Sequence, residues 1–176
     1  MTTRTEATGS ATLEARVNEA QRRASMIVMA IIVSIVMYTA VALFVNSSRS
    51  PAGLTDQTRI TLYAAAAFLA LGSIFFRRTQ MGRTRLEVVA GLRGISGLLK
   101  HFFRVTIVSV AMADLIGLLA LVAGFLGGDP NDVARFGVVA IAVALYNYPR
   151  RRAWLRALQY FAENVPGVDD GFRIHD

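Results

Sequence analysis

The sequence predicts an all-α integral membrane protein, a four-helix bundle formed by two helical hairpins. Three observations support this fold class. Apolar residues occupy 54% of the 176 positions, only 18% are charged, and the mean hydropathy is +0.45. Four uncharged or nearly uncharged segments approach the length that a bilayer requires. Sixteen of the nineteen Lys and Arg residues lie at one set of segment ends.

The four apolar segments define the predicted spans. A spanning helix needs about 20 apolar residues to cross about 30 Å of hydrocarbon. The fourth segment is the shortest and contains Arg135 near its start, from where the side chain can reach the interface. Asn131 or Asp132 can cap this helix. The predicted spans are residues 26–45, 60–76, 105–128 and 132–148.

The distribution of Lys and Arg predicts the orientation. Basic residues near span ends are retained on the cytoplasmic side. The side that carries few of them holds only Arg49, Arg59 and Arg135. We therefore expect a multi-pass protein of the plasma (inner) membrane with both termini in the cytoplasm. The basic residues expected to contact anionic lipid are Arg77, Arg78, Arg150, Arg151 and Arg152.

Several function classes are not expected. The net charge is +7, but the basic residues cluster at span ends, so a nucleic-acid partner is not needed to explain it. The chain has no cysteine, and its two histidines, His101 and His175, have no ligand-spaced partners. No HExxH, GxSxG or phosphate-loop pattern occurs. The sequence therefore predicts no enzyme activity, no cofactor and no metal site.

Two basic amphipathic helices are predicted at the cytoplasmic interface. Residues 86–103 carry apolar side chains at intervals of three and four, which is typical of one helix face. Glycines at every third position disfavour this helix unless another helix packs against it, so a loose connector is an equal alternative. Residues 152–163 form a shorter helix with Trp154 as an interfacial anchor. The apolar stripe of the first helix is Val88, Leu92, Ile95, Leu99 and Phe102.

The ends of the chain are expected to be less ordered than its centre. Residues 1–10 are small and polar and predict disorder, and residues 165–176 predict a mobile tail. The membrane domain then covers residues 11–164. The pattern Ile-Val-Ser-x-x-Met occurs at 32–37 and at 107–112, which fits either a duplicated hairpin or chance similarity of apolar segments.

Asp114 lies near the midpoint of the third predicted span. A charged side chain at this depth costs about 2.5–3.5 kcal/mol on insertion scales. The sequence therefore predicts either a protonated acid or a carboxyl group supplied with hydrogen-bond donors. Its role is either to bind a proton or cation, or to fix the helix register as a buried hydrogen-bonding residue. The candidate donors are Ser34, Tyr38, Thr39, Tyr63, Tyr146 and Asn147.

The segment around this residue, VSVAMADLIGLLALVAGFL at Val108–Leu126, resembles the carboxylate-bearing helix of rotary ATP synthase proteolipids, the c-subunit family. In that family a run of small residues precedes an acidic residue, followed by I-G/Y-x-L-V-x-x-F. The resemblance implies that Asp114 is an ion-binding carboxylate. The matching positions are Ala111, Ala113, Asp114, Ile116, Gly117, Leu118, Leu121, Val122 and Phe125.

Two function classes follow from these observations. In the first, the chain is a small proteolipid-like membrane subunit in which Asp114 binds H⁺ or Na⁺. In the second, it is a non-catalytic structural or accessory subunit in which Asp114 is only a buried hydrogen-bonding residue. In both, the expected partners are the lipid bilayer and either a second copy or a larger membrane complex, contacted through helix faces rich in Ala and Gly.

Overall fold

The computed structural model describes residues 3–47 and 54–164, and within these ranges the chain is helical with short turns and no strand. Three helical segments are long and apolar enough to cross a membrane, namely Ala15–Ser47, Asp56–Gln80 and Ser96–Phe125. An all-α chain with three candidate membrane spans is thus confirmed for the described residues. The helices are α1 (Thr3–Ser47), α2 (Asp56–Gln80), α3 (Arg83–Phe125), α4 (Pro130–Tyr146) and α5 (Arg151–Asn164).

The first helix begins earlier than expected. The sequence predicted disorder over residues 1–10, whereas α1 begins at Thr3 and continues without a break into the first apolar segment. Adding residues to an existing helix is far easier than nucleating a new one, and this segment contains no proline. The predicted mobile tail, residues 165–176, lies outside the described residues.

The predicted interfacial helix over residues 86–103 is wrong as a single helix, because α3 breaks at Gly94. This residue has φ 60° and ψ −167°, a backbone conformation that residues with a side chain rarely adopt. Residues 83–93 therefore form one helical segment, and the chain beyond the break continues into the third apolar segment. Of the glycines spaced at every third position, it is Gly94 that breaks the helix.

The break also changes which side chains are buried. Val88 and Leu92 of the predicted apolar stripe are 55% and 79% exposed, whereas Leu86 and Ala90 are buried in their place. Beyond the break Leu99 is buried. The predicted stripe is therefore not one continuous face, because the helical phase is not maintained across the break.

Contacts divide the chain into two units, and the first contains the start of α1, the first part of α3 and α5. Trp154 of α5 is 4% exposed, and its ring centroid lies 5.5 Å from that of Phe102. Nε of Arg151 donates to Oδ1 of Asn18 at 2.7 Å. Trp154 is therefore a core residue of this unit rather than the interfacial anchor that the sequence predicted.

The second unit contains the apolar part of α1, all but the last residues of α2, the second part of α3, and α4. One core cluster gathers side chains from all four helices. Each helix also exposes large apolar side chains, for which a bilayer is the natural solvent. Examples are Val33 on α1, Phe68 on α2, Leu115 on α3 and Val138 on α4.

Helix α1 packs parallel to α3 by close approach of small residues. A Cβ atom built on Gly117 would lie 2.9 Å from Cγ1 of Ile35, and one on Gly124 would lie 2.8 Å from the carbonyl oxygen of Ala42. Near the ends of the two helices, Nδ2 of Asn46 donates to the carbonyl oxygen of Gly128 at 2.6 Å. We call this set of contacts the α1–α3 interface.

Helix α2 packs parallel to α4 through polar side chains near both of its ends and aromatic rings between them. Arg59 contacts Asp132 near the start of α2, and Ser73 contacts Asn147 near its end. The rings of Tyr63 and Phe136 lie 4.9 Å apart between their centroids. We call this set of contacts the α2–α4 interface.

Candidate functional site

Asp114, on α3, is half-buried, and its Oδ1 atom is shielded from solvent without a hydrogen-bond partner. The only other shielded side-chain polar atom without a partner, among the residues that the structure describes, is Oγ of Ser109. The carbonyl oxygen of Ser109 accepts from Oγ of Ser73 on α2, so the backbone there is paired although the hydroxyl is not. A buried polar atom without a partner is rare in folded proteins and requires a physical reason.

Asp114 lies on α3 at the edge of a stripe of exposed side chains. Ala111, Leu115 and Val122 are exposed, while Ala113 is buried in the core. In the register of the α1–α3 interface, Asp114 is level with the apolar Ile32 of α1. Along the surface of α3, Asp114 therefore lies between the α1–α3 interface and the face that the second unit exposes.

The predicted donors are bonded elsewhere or lie apart from the carboxyl group. Oγ1 of Thr39 donates to the carbonyl oxygen of Ile35 at 2.9 Å, and Tyr63 Oη donates to Asp132 at 2.7 Å. Asn147 Nδ2 donates to Ser73 and to the carbonyl oxygen of Val143. Of the remaining candidates, Ser34 and Tyr38 are half-buried and Tyr146 is exposed. The structure thus does not bring the predicted donors together around Asp114.

Sequence reasoning missed the carboxylate that does have partners, Asp132. It is 2% exposed, and its Oδ2 lies 2.8 Å from Nε of Arg59. Its Oδ1 accepts from Oη of Tyr63 at 2.7 Å and lies 3.4 Å from Nη1 of Arg135. Charge-assisted hydrogen bonds of this kind are stronger than hydrogen bonds between neutral groups. We call these four residues the Asp132 cluster.

The helix cap of α4 also differs from the prediction. Asp129, not Asn131 or Asp132, is the N-cap, and its carboxylate accepts from the backbone N–H of Asn131 at 2.8 Å. Pro130 occupies the first turn, where the absence of an N–H has no cost. Because Asp129 caps the helix, Asp132 is free to turn toward α2. The separation of 73 positions between Arg59 and Asp132 explains why local sequence patterns could not reveal the pair.

A second polar network joins α2 and α4 near the other end. Asn147 is fully buried, and its Oδ1 accepts from Nη1 of Arg77 at 3.2 Å. The same Nη1 donates to the carbonyl oxygen of Tyr146 at 2.6 Å, and the guanidinium lies 5.5 Å from the centre of the Tyr146 ring. Arg77, predicted to contact lipid, therefore also ties two helices together. We call Ser73, Arg77, Tyr146 and Asn147 the Asn147 network.

The other basic residues predicted to contact lipid are exposed. Arg78, Arg150 and Arg152 are exposed at helix ends, and Arg151 is exposed while bonded to Asn18. Within the described residues, no group of three or more His, Cys, Asp or Glu side chains could hold a metal ion. His101 bonds to the carbonyl oxygen of Gln80 at 3.0 Å through Nε2.

Comparison with known proteins does not assign a family. No protein-family model, no curated protein sequence and no solved structure matches this chain. The feature of the described residues that bears most on function is the contrast between Asp114, whose Oδ1 has no partner, and Asp132, which is paired.

Proposed function

We propose that the chain is a four-span membrane protein in which Asp114 binds and releases a proton. The observation that carries the proposal is the shielded Oδ1 atom without a hydrogen-bond partner. An ionised carboxylate in apolar surroundings needs donors or a counter-charge, whereas a neutral carboxylic acid needs far less compensation. A lone carboxyl group of this kind suits the uptake and release of a proton.

A proton fits this position better than Na⁺. Membrane proteins coordinate Na⁺ with carbonyl oxygens of unwound helices in addition to side chains. Gly94 is the only non-helical residue within α3, so the backbone around Asp114 is helical and its carbonyl oxygens are engaged in the helix. Apolar Leu115 and the small Ala113 and Ala111 are its neighbours along the chain and supply no further ligands.

The four-span topology is also part of the proposal. Helix α4 has 17 residues, about 25 Å at 1.5 Å per residue, which is close to the bilayer core in length. It exposes Val138 and Leu145 and packs parallel to α2. Two consecutive transmembrane hairpins require this direction, because their second and fourth spans both return to the cytoplasmic side. With the cytoplasmic bias of Lys and Arg, this supports cytoplasmic termini in the plasma (inner) membrane.

Carbodiimide labelling tests the proton-binding group directly. Carbodiimides react with protonated carboxyl groups in apolar surroundings, so the purified full chain should be modified at Asp114. Peptide mass spectrometry should find little adduct on the ion-paired Asp132 or on the exposed Asp56. Asp114→Asn should abolish the adduct, and modification elsewhere at equal yield would contradict the proposal.

Proton flux through reconstituted protein tests the consequence. Vesicles containing the protein and a trapped pH-sensitive dye should acidify faster than protein-free vesicles under an imposed pH gradient. Asp114→Asn should lower the rate to the protein-free value, while Asp56→Asn, a matched change at an exposed carboxylate, should leave it unaltered. Equal rates for wild type and Asp114→Asn would refute a proton-conducting role.

Cysteine accessibility tests the topology, and the absence of native cysteines makes this experiment clean. An impermeant thiol reagent added to intact cells should label Asp56→Cys. Arg150→Cys should be labelled only after the membrane is permeabilised. If Arg150→Cys reacts in intact cells, α4 does not cross the membrane and the four-span proposal fails.

The alternative is a structural or accessory subunit, self-associating or part of a larger membrane complex. The observation that favours it is the position of Asp114 beside an exposed apolar face, where a donor from another chain could reach the carboxyl group. In that case Asp114→Asn should weaken assembly in a cross-linking experiment and leave proton flux unaltered. The proton-binding proposal predicts the opposite pair of results.

A further inference from the structure

The first unit contains a basic cavity on α3 next to the helix break. The cavity has a volume of about 310 Å³, and its polar lining comes from Arg93, Ser96, Lys100, His101 and Arg104. None of its lining residues is acidic. Positions 96, 100 and 104 recur at intervals of four beyond the break, so these side chains share one side of that helical segment. Arg93 lies before the break and lines the same cavity.

The three cations of the cavity have no internal counter-charge. Among the described residues, Arg93, Lys100 and Arg104 take part in no ion pair. Like charges that converge without an acid repel one another and are stabilised by a bound anion. A positive-inside preference explains why basic residues occur in this part of the chain, but it does not require them to converge on one cavity.

The break at Gly94 and the bare backbone at Gly97 shape the cavity. A Cβ atom built on Gly97 would overlap Cβ of Arg93, so the Arg93 side chain lies directly against the backbone at residue 97. Any residue other than glycine at 97 would displace Arg93 or alter the break. The positive φ of Gly94 changes the chain direction between Arg93 and Gly97, which lie against each other across the break.

An apolar surface adjoins the cationic lining. A neighbouring cavity of about 710 Å³ shares Val89, Arg93 and His101 with the first and extends to Val88 and Leu92. Val88 and Leu92 are more than half exposed, which is unfavourable in water but suits contact with an acyl chain. A phosphate diester attached to a hydrocarbon chain matches both surfaces, whereas free phosphate matches only the first.

From this arrangement we propose that the cavity formed by Arg93, Ser96, Lys100, His101 and Arg104 binds the phosphate group of an anionic phospholipid, with Val88 and Leu92 against its acyl chain. Guanidinium groups bind phosphate oxygens in pairs, and Lys supplies a mobile point charge. Arg104 directly precedes the third apolar segment, where a headgroup-level ligand is expected. This site is independent of Asp114 and of the proposed proton chemistry.

Lipid-dependent stabilisation of the purified full chain in a nonionic detergent tests the site. Dioleoylphosphatidylglycerol should raise the midpoint of thermal unfolding in a saturable way, and dioleoylphosphatidylcholine should raise it much less. The double variant Arg93→Gln/Lys100→Gln should weaken the apparent affinity for phosphatidylglycerol about tenfold or more. The matched control Arg22→Gln/Arg156→Gln removes two exposed charges of the same unit outside the cavity and should change the affinity less than about twofold.

Two further measurements complete the test. Gly97→Ala changes no charge and should weaken phosphatidylglycerol binding, because Arg93 must move. A variant is used only if its midpoint of thermal unfolding without lipid stays close to that of the wild type. If the double variant unfolds, the single variant Lys100→Gln is measured in its place. Equal weakening by the control variant, or no difference between the two lipids, would overturn the proposal. If millimolar sodium phosphate raises the midpoint of thermal unfolding and phosphatidylglycerol does not, the assignment to a lipid is overturned.

Discussion

The second unit joins two pairs of parallel helices by different physical means. The α2–α4 interface uses polar groups near both ends, the Asp132 cluster and the Asn147 network. The α1–α3 interface uses close backbone approach at Gly117 and Gly124, and a buried hydrogen bond from the side chain of Asn46 adds to it. Both solutions are available in a membrane, where small residues and interhelical hydrogen bonds replace the hydrophobic effect as the cause of helix association.

This difference explains why the two carboxyl groups of the unit behave differently. Asp132 belongs to the polar interface and has Arg59 and Tyr63 within hydrogen-bond distance. Asp114 lies beside the apolar interface, where its neighbour in the helix register is Ile32. Asp132, at the polar interface, stabilises the contact between two helices. Asp114, beside the apolar interface, has a carboxyl oxygen without a hydrogen-bond partner. The unpaired residue is therefore the better candidate for chemistry.

The largest effect is expected for Asp132→Ala. The variant removes the buried acceptor of Arg59 and Tyr63, and we expect it to lower the free energy of unfolding by about 2–4 kcal/mol, less than for a fully buried pair because Arg59 is 45% exposed. Equilibrium unfolding in mixed micelles measures this loss. Asp56→Ala removes an exposed carboxylate of the same helix pair and should cost less than about 1 kcal/mol. Similar losses for both variants would show that the cluster is not a structural tie.

A somewhat smaller loss is expected for Gly124→Ala at the α1–α3 interface. The added Cβ would meet backbone atoms of Ala42 at 2.8 and 2.9 Å, so the helices must separate, at a cost of about 1–3 kcal/mol. Gly72→Ala is the matched control, because nothing lies within 4 Å of the new atom. It should stabilise the protein by up to about 1 kcal/mol through helix propensity. Unfolding in mixed micelles compares the two, and a neutral Gly124→Ala would contradict close packing.

At the other end of the α2–α4 interface, Asn147→Ala is expected to cost about 1–2 kcal/mol, since it leaves Ser73 without its amide donor. Arg77 retains the carbonyl oxygen of Tyr146 and so is only partly affected. The thermal unfolding midpoint should fall below that of wild type but stay above that of Asp132→Ala. The reverse order would mean that the Asn147 network is the stronger tie.

The smallest change in stability is expected for Asp114→Asn. Oδ1 of Asp114 has no partner to lose, so the free energy of unfolding should stay within about 0.5 kcal/mol of wild type. Thermal unfolding of Asp114→Asn and of Asp132→Asn should be compared. The midpoint should fall more for Asp132→Asn, because the same chemical change at Asp132 removes an ion pair. A large destabilisation by Asp114→Asn would show that this residue is a structural tie as well.

Much of the helical organisation could be predicted from the sequence. The apolar segments, the unusual Asp114 and the amphipathic helix realised as α5 all follow from composition and periodicity. The break at Gly94 could not be located, because three glycines at equal spacing offered the same backbone freedom. On its two sides the predicted stripe differs in burial, because Val88 and Leu92 are exposed and Leu99 is buried. Trp154 was assigned to an interface because its partner Phe102 lies 52 residues away.

The amino-acid sequence alone determined which segments are apolar, where the positive charge is concentrated and that one acid falls within an apolar segment, since these are properties of each residue and its neighbours in the chain. Only the tertiary structure decided which polar groups find partners. Asp132 and Arg59 meet because α2 and α4 lie side by side, whereas no described side chain donates to Oδ1 of Asp114. Hydrogen bonds depend on distances of a few ångströms between segments far apart in the chain, and no local pattern encodes them.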